Sequence, residues 1–352
     1  MDLINLLKIK KQIVDKEVSL ALSELKETLD NKRLDQDLDY FEQFCLNGKS
    51  VRGGLVLIIY DIFNNADWSN TDYPKDIKIL AGFYEIIHSA LLIHDDIVDN
   101  DKLRRGLNTI HIYFKNKYKD IAEKNSDELG RALALDLGDT IYFFGLKYLQ
   151  KIESRHKSEL INFIMDIYLK VAEGQYEDIL YGQSSYEPNK NEIYAVYLNK
   201  TASYTFILPI ISTLILIEHE LAKDHRFRQI LKFLGILFQI SDDLIGFLSD
   251  ETGKDKGSDI RENKKTIIRK YILKDNGLKK QFEQLIKQQK ISNNDIDLLR
   301  QNFYRSVAYK KINEEILTLK NKISDEIEKI TLPEKLKTII LEFSEFITNR
   351  TK

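Results

Sequence analysis

His88-Ser-Ala-Leu-Leu-Ile-His94-Asp95-Asp96-Ile-Val-Asp99-Asn-Asp101-Lys-Leu-Arg104-Arg105-Gly106 is the stretch on which the reading of this chain turns. An apolar run of helical character ends in clustered carboxylates, and two adjacent arginines follow within a few residues. Helical spacing puts Asp95 and Asp99 on one face a turn apart, with Asp96 flanking them and His88 two turns earlier on nearly the same face. Carboxylates gathered this closely repel one another unless a cation joins them. An all-oxygen donor set suits a hard ion such as magnesium, which keeps several waters, takes one or two carboxylates and shares a substrate phosphate. Arg104 and Arg105 are then natural phosphate partners, because a guanidinium fork meets two phosphate oxygens at once.

An acidic cluster at a helix end is most often a solvated face, so the motif does not decide the matter alone. The apolar run leading into it argues against a plain solvated face. The deciding feature is a second, partial copy far along the chain, Phe238-Gln239-Ile-Ser-Asp242-Asp243-Leu-Ile-Gly246.

The composition agrees with long helices. A chain of 352 residues with 15 Gly and 4 Pro has too few breakers for a fold rich in tight turns. Lys and Arg number 53 against 55 Asp and Glu, so no overall field favours nucleic acid or an anionic membrane, and no nucleic-acid partner is expected. The single Cys45 excludes an internal disulfide and fits a reducing compartment. Met1-Asp-Leu-Ile-Asn-Leu-Leu-Lys lacks the features of a signal peptide. The longest near-apolar run, residues 206–217, is shorter than the ~20 residues a bilayer span needs. The expectation is a soluble cytoplasmic protein with no membrane span.

In chain order, residues 3–29 read as one or two amphipathic helices. Asn47-Gly48-Lys49-Ser50-Val51-Arg52-Gly53-Gly54 looks like a phosphate loop, yet a P-loop needs glycine at position 43, where Gln stands. What remains is Lys49 and Arg52, three apart at an expected helix start, which makes an anion site; a structural glycine-rich turn is the alternative. A loop at 64–76 leads into a helix over 77–100, and the segment from Arg105 through Lys119 reads as polar and partly irregular. Helices are expected at 128–152 and 157–182, the latter placing Gln175 and Asp178 a turn apart. The next helix carries Lys200-Thr201 and then Pro209, which should kink it or mark a boundary. A helix over 228–249 holds the second acidic pair. Residues 250–266 form a charged, glycine-containing loop, either solvated or a lid that delivers lysines to a phosphate. From 267 onward the helical period continues, with breaks near 276–277, 292–294 and 332–333. No repeat or linker divides the chain, so residues 1–352 read as one all-α domain.

Two carboxylate clusters on separate helices, ringed by Lys49, Arg52, Arg104, Arg105, Lys200, Lys254 and Lys264, could hold magnesium ions and a diphosphate. No nucleophile sits beside a base, and no Cys/His metal spacing or dinucleotide turn appears. The available chemistry is electrostatic, namely ionisation of a diphosphate leaving group and guidance of the resulting cation.

At this point the chain resembles the trans-isoprenyl diphosphate synthases of the polyprenyl synthetase family, over about residues 45–270. The motifs come in order: Gly48-Lys49-Ser-Val-Arg52, Asp95-Asp96-Ile-Val-Asp99, Arg104-Arg105-Gly106, Lys200-Thr201, Phe238-Gln239 before Asp242-Asp243, then Lys254 and Lys264. The resemblance implies the isoprenoid synthase fold, a bundle of long helices around a central cavity, and a homodimer. By it, Lys49, Arg52, His88 and Arg105 bind isopentenyl diphosphate. Asp95, Asp99 and Asp242 hold magnesium on an allylic diphosphate, supported by Asp96, Asp243 and Asp259, with three ions in all. Arg104, Lys200, Lys254 and Lys264 neutralise that diphosphate, and the Lys200 carbonyl, Thr201 and Gln239 stabilise the allylic carbocation. Gly246 stands where the family's second motif has its last aspartate, which weakens that side of the metal cluster.

By the same resemblance, the residues four and five before the first aspartate, Leu91 and Ala90, form the floor that stops chain growth, with Ile87 a turn deeper. A small Ala90 leaves room beyond fifteen carbons, so the expected product is geranylgeranyl diphosphate, at twenty. The alternatives are a synthase making twenty-five carbons or more, and a non-catalytic partner subunit of a related synthase. A terpene cyclase would need a different second motif, which Asp242-Asp243 does not supply.

Overall fold

The computed structural model describes residues 2–122, 125–248, 258–261, 263–288 and 291–349. In chain order its helices are α1 (Leu3–Leu29), α2 (Lys32–Leu46), α3 (Val51–Phe63), α4 (Lys75–Val98), α5 (Ile110–Lys117), α6 (Ser126–Leu149), α7 (Lys157–Gly182), α8 (Lys190–Tyr197), α9 (Leu208–Leu216), α10 (His225–Leu248), α11 (Ser258–Arg261), α12 (Ile267–Ile272), α13 (Asn276–Leu285), α14 (Asn293–Tyr304), α15 (Val307–Ile327) and α16 (Glu334–Asn349). Between α4 and α5 lies a small antiparallel hairpin, β1 (Leu103–Arg104) and β2 (Leu107–Asn108), and a π-helical stretch, Leu198–Ile207, joins α8 to α9. The all-α expectation holds. Contacts group the chain into two compact units, Met1–Ile164 with Pro209–Ala222, and Met165–Leu208 with Lys223–Lys352.

In the first unit, helix starts follow their capping residues. Asp2 accepts the Asn5 N–H, Asn31 those of Arg33 and Leu34, and Asn125 those of Asp127 and Glu128. Residues 3–29 form one helix, and Asn31 opens α2, an element that the apolar period had not set apart. The organising helix is α4, packed on α1, α3 and α6. Its Leu80, Phe83, Tyr84, Ile86, Ile87, Ala90 and Ile93 are all buried. Each of the larger ones is worth roughly 1.5–3 kcal/mol in apolar transfer. By length and composition α4 could also cross a bilayer, which a search for unbroken apolar runs overlooks because Glu85 and His88 interrupt it; 78% of its apolar window lies buried inside the protein. The loop before α4 is fastened by Lys10, whose ammonium pairs with Asp61 at 2.7 Å and donates to the Trp68 and Asn70 carbonyls. Residues 105–119, expected to be partly irregular, form the hairpin corner, β2 and α5, with turn at 118–119.

In the second unit, Asn189 and Glu192 form a capping box that starts α8. The helix then widens into the π-helical stretch. Pro209 has no N–H for the carbonyl four residues back, so an α-helical ladder cannot pass it. The wider turn carries the chain past, with the Leu208 N–H bonding to the Ser203 carbonyl. The stretch packs on α10 at Gly235, where an added Cβ would lie 2.1 Å from that of Ala202. Helix α10 also packs on α15 and α16. The expected late breaks are present, with Asp275 and Ser292 capping α13 and α14 and Pro333 preceding α16. The break at Ser306, which caps α15, had no glycine or proline to announce it.

Candidate active site

Helix α3 begins at Val51, so Arg52 falls in its first turn and is buried, while Lys49 just outside is exposed. The hairpin pairs Leu103 with Asn108 and Arg104 with Leu107, which leaves Arg105-Gly106 as a two-residue corner. Both corner residues have positive φ, 56° and 78°, the sense that matches the twist of the strands. The corner delivers the Arg105 guanidinium to the C-terminus of α2, where it donates to the Phe44 carbonyl at 2.8 Å and that of Cys45 at 3.3 Å. Gly48 leaves room for it: a Cβ there would lie 2.7 Å from the guanidinium carbon, so a larger residue would move the guanidinium. Tyr40 of α2 donates to the Asn108 carbonyl at 2.9 Å and stacks on Tyr113 of α5, so α2 holds the hairpin at two points.

His88 projects from α4 into this group. Burial first, then the charges of Arg52, Arg105 and Arg104, push its pKa well below the usual histidine value, so the imidazole is neutral. Burial also lowers the pKa of Arg105, with the nearby Cys45 and Glu85 opposing. Glu85 accepts the Gly53 N–H at 2.8 Å, tying α3 to α4. Three sequence segments thus bring Arg52, His88, Arg104 and Arg105 into one electropositive cluster.

At the end of α4, Asp95 and Asp99 are half-buried a turn apart, with Asp99 as the C-cap. Arg131 of α6 donates to the Ile97 carbonyl at 3.0 Å, placing a cation where the helix dipole favours one. Asp96 points elsewhere. It is fully buried and ion-paired to Arg104, with Nε at 2.7 Å, and Arg104 also reaches Asp101 at 2.9 Å. Burial pushes the Asp96 carboxyl up to about 7, against the pull of Arg104. Asp96 therefore orients an arginine, where the sequence reading had grouped it with the metal donors. Among the described residues no three carboxylates or histidines converge closely enough to enclose an ion. The pair Asp95 and Asp99 is an all-oxygen donor set that leaves most positions to water and phosphate, and it fits magnesium.

The second unit carries the other motif residues. Lys200 and Thr201 lie on the π-helical stretch, Thr201 buried and Lys200 paired with Asp178 at 2.6 Å. On α10, Asp242 is exposed and Asp243 is buried. Gln239 donates its amide N–H to Asp243 at 2.6 Å, and the Tyr197 hydroxyl donates to the other carboxylate oxygen. Lys264 is half-buried and lines a small cavity with Asp243, Phe247, Ile260 and Thr266. Lys254 and the Asp259 side chain fall outside what the structure describes. In the first unit, the three positions on α4 that the resemblance names as the floor are a buried Ala90, a half-buried Leu91 and Ile87, whose Cδ1 lies against Gly145 of α6. Deeper in, the Tyr84 hydroxyl bonds Ser212 at 2.5 Å. Arg131, Tyr197, Glu85 and Asp178 serve these groups through partners distant in sequence; of them, only Asp178 had drawn notice, for its spacing from Gln175.

An arginine–histidine cluster beside paired carboxylates, on an all-α frame, suits an anion with several oxygens and a hard cation. The sequence model of the polyprenyl synthetase family matches residues 32–302, and the chain belongs to that family. A short chain isoprenyl diphosphate synthase from Methanocaldococcus jannaschii is 28% identical over 75% of this chain and 75% of its own length. A geranylgeranyl diphosphate synthase from Saccharolobus solfataricus is 30% identical over 65% of this chain and 63% of its own. The crystal structure of a geranylgeranyl pyrophosphate synthase from Corynebacterium glutamicum, complexed with isoprenyl diphosphate and magnesium, superposes with a TM-score of 0.86 over 99% of this chain and 100% of that one. At 20% identity that likeness carries the fold, which is the isoprenoid synthase fold.

Proposed function

We propose that this trans-prenyltransferase condenses isopentenyl diphosphate head-to-tail with an allylic diphosphate, giving geranylgeranyl diphosphate. The carrying observation is the convergence of Arg52, His88, Arg104 and Arg105, with the imidazole kept neutral by burial first and then by its cationic neighbours. Such a cluster favours an anion with several oxygens.

The diphosphate of isopentenyl diphosphate lies against Lys49, Arg52, His88 and Arg105, which fixes its double bond. The allylic diphosphate is met by Arg104, Lys200 and Lys264. By the family resemblance, Asp95, Asp99 and Asp242 would hold magnesium, which withdraws charge from the departing diphosphate when bound. As the allylic carbon–oxygen bond breaks, the Lys200 carbonyl, the Thr201 hydroxyl and Gln239 face the cation. Gln239 is oriented for this, since its amide N–H is engaged by Asp243 and its oxygen is the electron-rich end. The isopentenyl double bond then attacks, and a proton leaves to the released pyrophosphate. A buried, small Ala90 lets the chain grow past fifteen carbons before the deeper residues of α4 stop it.

The chain acts as a homodimer. Leu135, Phe143 and Leu146 on α6 are exposed, Phe143 by 73%, and form the apolar face that a second copy would cover. The catalytic reading is checked by Asp95→Ala, expected to lower kcat by roughly 10²–10³ with little change in thermal midpoint. A variant as active as the parent would remove Asp95 from the reaction.

A further inference from the structure

Tyr197 is the last residue of α8 and is buried. Its hydroxyl makes two bonds. It donates to Asp243 and accepts the backbone N–H of Ile267 at 2.9 Å. Burial and the adjacent carboxylate raise its pKa well above that of a free phenol, so it remains a donor. One phenol thus joins the acidic pair of α10 to the first residue of α12, and hence to Lys264 shortly before it. The Lys264 segment is fastened on its other side as well. Asn263 donates to the Gly182 carbonyl at 3.0 Å and accepts from Arg269 at 2.6 Å. Lys265 donates to Glu187 at 3.0 Å, and Arg269 donates to the same carboxylate. The residues on both sides of Lys264 are therefore anchored, and Lys264 is the lysine that shares a cavity with Asp243.

We propose that Tyr197 is a positioning residue for prenyl transfer. Through Asp243 it fixes the turn of α10 that presents Asp242, and through the Ile267 N–H it sets the register at which Lys264 meets the allylic diphosphate. Tyr197 does not touch substrate. The inference rests on the prenyl-transfer reading above, and it assigns Asp243 to holding the site together.

The test is Tyr197→Phe, read in two ways. Without ligands, the Ile267 amide should exchange with solvent at least ~10-fold faster, since it loses its acceptor. In turnover, KM for the allylic diphosphate should rise ~10-fold while KM for isopentenyl diphosphate is unchanged, a loss of the size expected for one hydrogen bond to a charged group. Glu315→Gln is the structural control, because Glu315 accepts from Lys190, Tyr194 and Tyr271 on the same helices without contacting the Tyr197 hydroxyl. It should lower the thermal midpoint and leave both KM values alone. Unchanged exchange at Ile267, an unchanged ratio of the two KM values, or an equal allylic effect in Glu315→Gln would each overturn the proposal. Should Tyr197→Phe fail to fold, Glu187→Gln loosens the same segment and must raise the allylic KM; no change would overturn it equally. Turnover by the parent chain tests the prenyl-transfer reading separately from these comparisons.

Discussion

Adjacent aspartates in one motif do different work here because successive helical residues point about 100° apart. Asp95 stays at the rim of α4, while Asp96 turns inward and finds Arg104. A spacing rule cannot tell which member of a pair turns inward, so the motif was legible and the division of labour within it was not. The same holds for Asp242 and Asp243, of which the second is taken up by Gln239 and Tyr197. Histidines show the other effect of burial. His111 is buried at the start of α5 with Nδ1 bonded to Thr109, and burial pushes its pKa from 6.5 to about 4. The unfolded chain takes up this proton as pH falls through 6.5, while the native state resists until about 4. The contribution of His111 is therefore full above that window and is lost as pH falls through it. The loss reaches up to about 3 kcal/mol, at ~1.4 kcal/mol per pKa unit. Denaturant titrations from pH 7 to 4 should show a shallower decline for His111→Gln than for the parent; parallel curves would exclude the effect.

At the scale of elements, strongly periodic helices were readable and irregular ones were not. Helices α4, α7 and α10 lie within a few residues of the expected spans, and α4 and α10 each bury a continuous apolar face. The hairpin is made of strands two residues long, below any period, and its corner places a non-glycine residue, Arg105, at positive φ. The π-helical stretch was announced by Pro209 only as a break, and its close packing at Gly235 joins residues distant in sequence. The proposed chain-length floor belongs to α4. Ala90→Phe should shorten the main product from twenty carbons to fifteen, read by chromatography of the dephosphorylated alcohols. An unchanged length would move the floor deeper, to Ile87 or Phe83.

For the whole molecule, the family and the reaction class were legible because the motifs recur in a fixed order along the chain, and order survives where overall identity to relatives is near 30%. Assembly was less legible, since an exposed apolar side chain looks the same in sequence as a buried one. Phe143→Asp on α6 should shift the mass in solution from twice that of the chain toward that of one chain, measured by light scattering. A parent that is already monomeric would set aside the dimer and the α6 face together. The measurement that bears most directly on the central claim is an incubation of the purified chain with magnesium, labelled isopentenyl diphosphate and farnesyl diphosphate. The account predicts labelled geranylgeranyl diphosphate, lost when EDTA is added. Absence of any product, with or without EDTA, would contradict it and leave the chain as a non-catalytic subunit of a related synthase.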